Sequence, residues 1–130
     1  MNLHPIIRTL GFYLLVLFYF GAGINHFLNP DFYIPLIPGY LPFPRGINII
    51  AGILEIVLSL SLLIPSFKKG ALIGLVVLLI LFIPSHIYFI QIGSCVEDSL
   101  CVSPWIAWIR LLLIHPLLIG WVLLYLGQKK

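Results

Sequence analysis

Charged residues are scarce in this sequence. Lys and Arg together number 7 and Asp and Glu only 4 among 130 residues, so charged residues make up 8% of the chain, while apolar residues reach 62%. Soluble domains carry about 25% charged residues, which cover their surface. The composition therefore excludes an ordinary soluble globule and predicts an integral membrane protein, with the lipid bilayer as its main partner.

Residues that hold electron carriers, nucleotides or metals are also missing. The chain has two cysteines and four histidines, with no iron–sulfur cysteine set, no haem ligand pair and no glycine-rich nucleotide loop. No histidines stand at a ligand spacing such as i, i+4 on one helix, so no metal site is predicted. The basic residues occur singly or in pairs, which excludes a nucleic-acid surface.

Four long apolar runs are present, and each is long enough to cross a hydrocarbon core of about 30 Å as a helix. They cover residues 5–27, 46–64, 70–90 and 105–126. The runs lack the alternation typical of a membrane β-barrel. The sequence therefore predicts one all-α domain over residues 1–130, a transmembrane antiparallel four-helix bundle. The first run is read as a retained helix, because no small-residue cleavage site follows it.

The distribution of basic residues predicts the orientation. Cytoplasmic connections of membrane proteins carry an excess of Lys and Arg. Five basic residues fall on one side of the four spans and two on the other, which predicts that both termini are cytoplasmic. The membrane is expected to be the inner membrane of a bacterium. The five are Arg8, Lys68, Lys69, Lys129 and Lys130, and the two are Arg45 and Arg110.

The connection between the first two spans, "NHFLNPDFYIPLIPGYLPFPRG", is rich in proline and aromatic residues. Such proline density forbids a long helix. Asn29 is predicted to cap one or two short turns that start at Pro30. We interpret the connection as an interfacial loop over the outer end of the bundle, either an anchor or a gate for a ligand. Its aromatic residues suited to the headgroup level are Phe32, Tyr33, Tyr40 and Phe43.

Both cysteines lie in the last outer connection, "SCVEDSLC". In an oxidising compartment Cys95 and Cys101 are predicted to form a disulfide bond. A redox-active dithiol is the alternative, although the spacing is not the C-x-x-C that tunes thiolate chemistry.

The second span contains one carboxylate, Glu55, about 13 Å from its outer end. Asn48, Gly52, Glu55 and Ser59 fall on one helical face, and the rest of the helix is Ile, Leu and Val. Ionisable residues at such depth face the protein interior, find partners and often mark function. This face is therefore predicted to turn into the bundle.

The other spans also send polar side chains to the outer half. Arg110 is the predicted charge partner of Glu55, because a guanidinium can hold a carboxylate with two hydrogen bonds. His115 is five residues from Arg110, about 140° around an α-helix, so both cannot point straight at Glu55. His115 is expected to bond a backbone carbonyl or to sit where Pro116 loosens the helix. The candidate pocket consists of His26, Asn48, Glu55, His86, Arg110 and His115.

Small residues form two patches, Gly21-Ala22-Gly23 in the first span and Gly70 with Gly74 in the third. Small residues let membrane helices approach closely. They predict helix packing within the bundle, with a homodimer face as the alternative.

Together these stretches resemble the DoxX-like family of small four-helix membrane proteins. The resemblance rests on "GINHFLNPDFYIPLIPGYLP", "AGILEIVLSLSLLIP", "LFIPSHIYF" and "PWIAWIRLLLIHPLLIGWVLLY". It implies the fold and the membrane location, and it implies association with quinone-linked redox complexes or with assembly of other membrane proteins. The chain departs from the family pattern around His86 and His115 and in its two cysteines. The family's markers fall on His26, Phe27, Pro30, Pro38, Pro42, Gly52, Glu55, Pro65, Pro84 and Arg110.

Two classes of function follow. The first is an accessory role, in which the bundle binds a lipid-like molecule or a partner membrane protein and aids assembly of a membrane complex. The second is a quinone-binding oxidoreductase component, with quinone as the candidate cofactor and the polar cluster handling protons. The accessory role is favoured because the chain supplies no electron carrier other than the dithiol. Transport ranks third, since no broken-helix repeat is present.

Overall fold

The computed structural model of the protein describes residues 3–128, and within them all regular structure is helical apart from one isolated bridge between Cys95 and Cys101. Four helices are long and apolar enough to cross a membrane, which confirms an all-α integral membrane protein. The elements are α1 (Pro5–Leu28), α2 (Pro30–Tyr33), a 3₁₀ turn (Ile34–Leu36), α3 (Pro44–Ser61), α4 (Lys68–Gln91), α5 (Pro104–Ile109), a π-turn (Arg110–Ile114) and α6 (His115–Leu126). The last three elements together form the fourth span, Pro104–Leu126.

Proline marks the start of most helices. Pro5, Pro30, Pro44 and Pro104 each stand in the first turn of their helix, where the missing N–H group has no intrahelical partner to lose. The sequence predicted Pro5 and Pro30 in this role. It placed the start of the second span at residue 46, two residues late, because the start at Pro44 was read as part of the loop.

The second span ends earlier than predicted. α3 stops at Ser61 instead of residue 64. The N–H groups of Leu63 and Ile64 bond the carbonyls three residues back, each at 3.1 Å, which tightens the chain into turns. Pro65 has no N–H group to continue the α-helical ladder, so the chain turns directly toward α4.

The four spans pack in a ring, since α1 contacts α3, α3 contacts α4, α4 contacts α6 and α6 contacts α1. The half of the ring near the connection between α3 and α4 is filled by apolar side chains. Tyr19 is the deepest aromatic residue of this core. The core includes Leu15, Val16, Tyr19, Leu62, Ala71, Leu72, Leu75, Leu79, Val122 and Tyr125. The buried side chains of His26, Glu55 and His115 lie outside this apolar cluster.

Candidate functional site

The backbones of α1 and α3 touch at two glycines. A Cβ atom added at Gly23 would lie 2.8 Å from the carbonyl oxygen of Gly52, and one added at Gly52 would lie 2.8 Å from Cβ of His26. Only glycine allows so close an approach. This contact brings His26 on α1 next to the polar face of α3. Gly21, in the same patch of the sequence, meets nothing within 4 Å.

The polar face of α3 is buried as predicted. Asn48, Gly52, Glu55 and Ser59 are all buried, and Glu55 is only 4% exposed. The Asn48 amide pairs with His26 in two ways. The Nδ2 group of Asn48 donates to the backbone carbonyl of His26 at 3.0 Å, and the ring Nδ1 of His26 lies 2.6 Å from Oδ1 of Asn48.

These two contacts determine which ring nitrogen of His26 carries a proton. A backbone carbonyl can only accept, so Nδ2 of Asn48 must face it and Oδ1 must face the ring. His26 Nδ1 is therefore the donor to Asn48, and Nε2 is left toward the carboxylate of Glu55, 3.3 Å from Oε2.

A carboxylate beside an unprotonated ring nitrogen would bring two lone pairs together in a buried site, which is unfavourable. One proton therefore resides between Nε2 of His26 and Oε2 of Glu55. The pair is either an imidazolium with a carboxylate or a neutral imidazole with a carboxylic acid, and its net charge is zero in both forms. The Nε2–Oε2 distance of 3.3 Å is longer than a short hydrogen bond, so one of the two atoms holds the proton and the other faces it. Oε2 has no other hydrogen-bond partner among residues 3–128.

Tyr33 of α2 covers the His26 ring. The two rings are stacked with centroids 3.9 Å apart, and the Tyr33 hydroxyl accepts a hydrogen bond from Nδ2 of Asn25 at 2.7 Å. Burial raises the pKa of Tyr33. The hydroxyl therefore keeps its proton and can donate a hydrogen bond to a further acceptor.

On the opposite wall, a π-turn changes the register of the fourth span. The N–H group of His115 bonds the carbonyl of Arg110, five residues back. Pro116 has no N–H group for the carbonyl of Leu112, which favours the wider turn. Residues five apart then stand on nearly the same face. The angle of about 140° expected between Arg110 and His115 in a regular α-helix therefore does not apply here, and both side chains reach one cavity.

His115 and His86 meet at this wall. The Nε2 group of His115 donates to the backbone carbonyl of Leu79 at 2.6 Å, so the expectation that it bonds a carbonyl is confirmed. His86 stands edge-on to it, with ring centroids 4.6 Å apart. Arg110 lies over the ring of Phe89, with Cζ 5.4 Å from the ring centroid.

A cavity of about 640 Å³ lies between these walls. Its lining is mostly apolar, with side chains from all four spans and from the segment that contains α2. The structure brings together at this cavity all six residues of the candidate pocket, namely His26, Asn48, Glu55, His86, Arg110 and His115.

The predicted pair of Glu55 and Arg110 is wrong. The one ion contact within 4.0 Å among residues 3–128 is His26 with Glu55. Arg110 approaches the cavity from the fourth span and packs on Phe89. The close contact of α1 with α3 at the two glycines instead places His26 next to Glu55. Depth along the helices favoured Arg110 as the partner, but depth does not reveal which helices adjoin.

The connection between α1 and α3 differs from the prediction in two details. Asn29 precedes α2, but its side chain makes no cap and bonds Asn25 instead. Of the aromatic residues assigned to the headgroup level, Tyr40 is 71% and Phe43 82% exposed, whereas Phe32 and Tyr33 turn inward and line the cavity.

Tyr19 and Phe89 contribute to the site and were missed in the sequence. The Tyr19 hydroxyl is buried without a hydrogen-bond partner among residues 3–128, and the side chain lines the cavity. Tyr19 stands seven residues before His26, on the same face of α1. That spacing could have identified it. The position of Phe89 depends on how α4 packs against the fourth span, which the sequence does not reveal.

The disulfide bond predicted between Cys95 and Cys101 is present in the structure. It closes a loop that bonds the 29–43 connection at one point, where the Ser99 hydroxyl donates to the carbonyl of Phe32 at 2.8 Å. The bridged loop is therefore attached directly to a residue that lines the cavity.

Comparison with known proteins gives a family but no function. No curated protein and no solved structure matches the chain. A family model matches residues 15–125, most of the chain, and by this match the protein belongs to the family described as Domain of unknown function (DUF8561).

Proposed function

We propose that the protein is a membrane-embedded binding protein that holds an amphipathic, lipid-like molecule in the cavity between its helices. The observation that carries the proposal is the cavity itself, about 640 Å³ with mostly apolar walls and a few polar groups that converge on it. Small-molecule sites have this character, and volumes of about 300–1,000 Å³ are usual. The polar groups would orient the head of the ligand, and the apolar walls would hold its tail.

The retention of buried ionisable groups supports this role. A buried ion pair is weak evidence of stabilisation, because desolvation consumes much of the attraction. His26, Asn48 and Glu55 nevertheless form one connected group beside the cavity. Intramembrane ionisable residues often mark substrate or ligand pathways.

We also propose an orientation for the site. The four spans form an antiparallel bundle in the inner membrane of a bacterium with both termini in the cytoplasm, which puts the cavity in the outer half. The basic residues near the α3–α4 connection support this orientation. The exposed Tyr40, Phe43 and Trp105 at the opposite end suit a membrane interface there. Lys129 and Lys130, which contribute to the same bias, lie outside the described residues. Reporter fusions at Lys69 and Asp98 test it: the first should read cytoplasmic and the second external, and the reverse pattern would refute it.

The 29–43 connection would then be an interfacial loop with two faces. Tyr40 and Phe43 would anchor it among the headgroups, and Tyr33 and Phe32 would cover the cavity from the outside. Both the anchoring role and the gating role predicted from the sequence are consistent with this division.

In the cell, a bound amphiphile or a partner membrane protein would fit an accessory role in assembly of a membrane complex. The resemblance to DoxX-like proteins supports such a role, and membership of that family stays a prediction.

A second candidate function is quinone binding within an oxidoreductase. One observation favours it: the proton held between His26 and Glu55 lies beside the cavity, where it could be passed to the oxygen of a quinone head. The electrons would have to come from a partner protein.

Extraction of the purified protein followed by mass spectrometry tests the proposal and separates the two candidates. Wild-type protein should retain an amphiphile at near-stoichiometric amounts. Ser85→Phe, which fills the cavity, should lose it, whereas Ser61→Phe, outside the cavity on α3, should keep it. A quinone in the extract would favour the second function. An extract without any retained molecule, or equal retention in both variants, would refute binding in this cavity.

A further inference from the structure

We infer that the cavity takes an amphiphile with an anionic head, and that Arg110 is the residue that recognises it. This inference rests on the proposed function and specifies the chemical class of the ligand.

The charge of the cavity favours an anionic ligand. The pair of His26 and Glu55 is neutral, because one proton resides between its two facing atoms. His86 and His115 are neutral or positive in any protonation state and cannot supply negative charge. Arg110 is always charged in proteins. The ionisable groups that line the cavity therefore sum to at least one positive charge.

Arg110 has no counter-ion among residues 3–128. The Arg110 side chain makes no hydrogen bond and no ion pair with any residue from 3 to 128, and its guanidinium lies over the ring of Phe89. Glu55 is committed to His26. The three remaining acids, Asp31, Glu97 and Asp98, are exposed and do not line the cavity. The N–H groups of this half-buried guanidinium are therefore free to make charge-assisted hydrogen bonds with an external anion.

The shape of the Arg110 guanidinium indicates the kind of anion. A guanidinium presents a planar fork of N–H groups that matches the two oxygens of a carboxylate or phosphate. Packing on Phe89 holds the plane in place, so less freedom is lost on binding. A head of this kind has two sources, a free fatty acid or an anionic phospholipid of the bilayer, and each presents a pair of anionic oxygens to Arg110.

Native mass spectrometry of the protein in uncharged detergent can separate these sources. Two matched pairs of probes are used: oleate with methyl oleate, and dioleoylphosphatidylglycerol with dioleoylglycerol. In each pair only one member is an anion. We expect wild-type protein to bind the anion about ten- to a hundredfold more tightly than its neutral match in at least one pair, as hydrogen bonds to charged groups imply. The pair that shows the preference identifies the source.

The variants assign the preference to Arg110. Arg110→Gln should remove it, and Arg110→Lys, which keeps the charge, should retain part of it and exclude misfolding as the cause. Arg45→Gln is the matched control, because Arg45 is the other arginine at this end, exposed and outside the cavity. It should leave the preference unchanged.

Equal binding of anion and neutral match in both pairs would overturn the inference and leave the proposed function standing. A preference that survives in Arg110→Gln, or that is lost equally in Arg45→Gln, would also overturn it. Failure of all four probes to bind would overturn the inference and the proposed function together.

Discussion

His26 Nε2 lies 3.3 Å from Glu55 Oε2, and the other nitrogen of the same ring donates to Asn48. α1 thus supplies the partner of the buried carboxylate on α3. The pair is neutral as a unit, and this is how the bundle tolerates a glutamate near the middle of an apolar helix.

Double-mutant cycles should show that the stability effects of Glu55 and His26 are coupled. Glu55→Gln and His26→Gln should each lower the thermal midpoint in detergent, because breaking a buried pair costs roughly 3–5 kcal/mol. The double variant should lose clearly less than the sum, with a coupling of about 0.5–3 kcal/mol. The same cycle with Arg110→Gln is the control and should be close to additive. Coupling to Arg110 and additivity with His26 would reverse the assignment.

Asn48 should contribute more to the stability of the fold than the size of its side chain suggests. Asn48→Ala removes both contacts with His26 and leaves a buried ring N–H without its acceptor, at a cost of about 1–3 kcal/mol. Asn29→Ala removes an exposed contact with Asn25 and should change the midpoint little. Thermal unfolding followed by tryptophan fluorescence measures both. Equal, small effects would mean that Asn48 does not hold the ring.

The glycine contact predicts a sharp difference between neighbouring positions. Gly23→Ala would place a Cβ 2.8 Å from the Gly52 carbonyl and 2.8 Å from Cγ1 of Ile56. Such overpacking typically costs about 1–3 kcal/mol. Gly21→Ala meets nothing within 4 Å and should be neutral or slightly stabilising, because alanine favours the helix. If both variants unfold at the same temperature, α1 and α3 do not pack as described.

The sequence predicts those features of the fold and the site that depend on residues close together in the chain. It does not predict those that depend on contacts between helices. The spans and the buried face of α3 follow from local composition and helical period, and both were predicted. The partner of Glu55 depends on which helices adjoin, and that is decided by Gly23 and Gly52 fitting together across the interface. The common location of Arg110 and His115 depends on a π-turn, which Pro116 favours but does not by itself dictate.

Ser99 should hold the 29–43 connection over the cavity. Ser99→Ala removes the hydrogen bond to the carbonyl of Phe32, worth about 0.5–1.5 kcal/mol. Hydrogen–deuterium exchange in that connection should then be about two- to tenfold faster, since local opening becomes easier by that amount. Ser103→Ala is the control, because Ser103 is exposed and makes no side-chain cap. If exchange is equally fast in both variants, or unchanged in Ser99→Ala, then Ser99 does not hold the connection.

The most direct test of the central claim is an experimental density map of the protein purified from its own membrane in uncharged detergent. The account predicts an elongated molecule in the cavity between the four spans, with its polar end among His26, Glu55 and Arg110 and its tail along the apolar walls. A cavity closed by its own side chains, or one filled only by water, would contradict it.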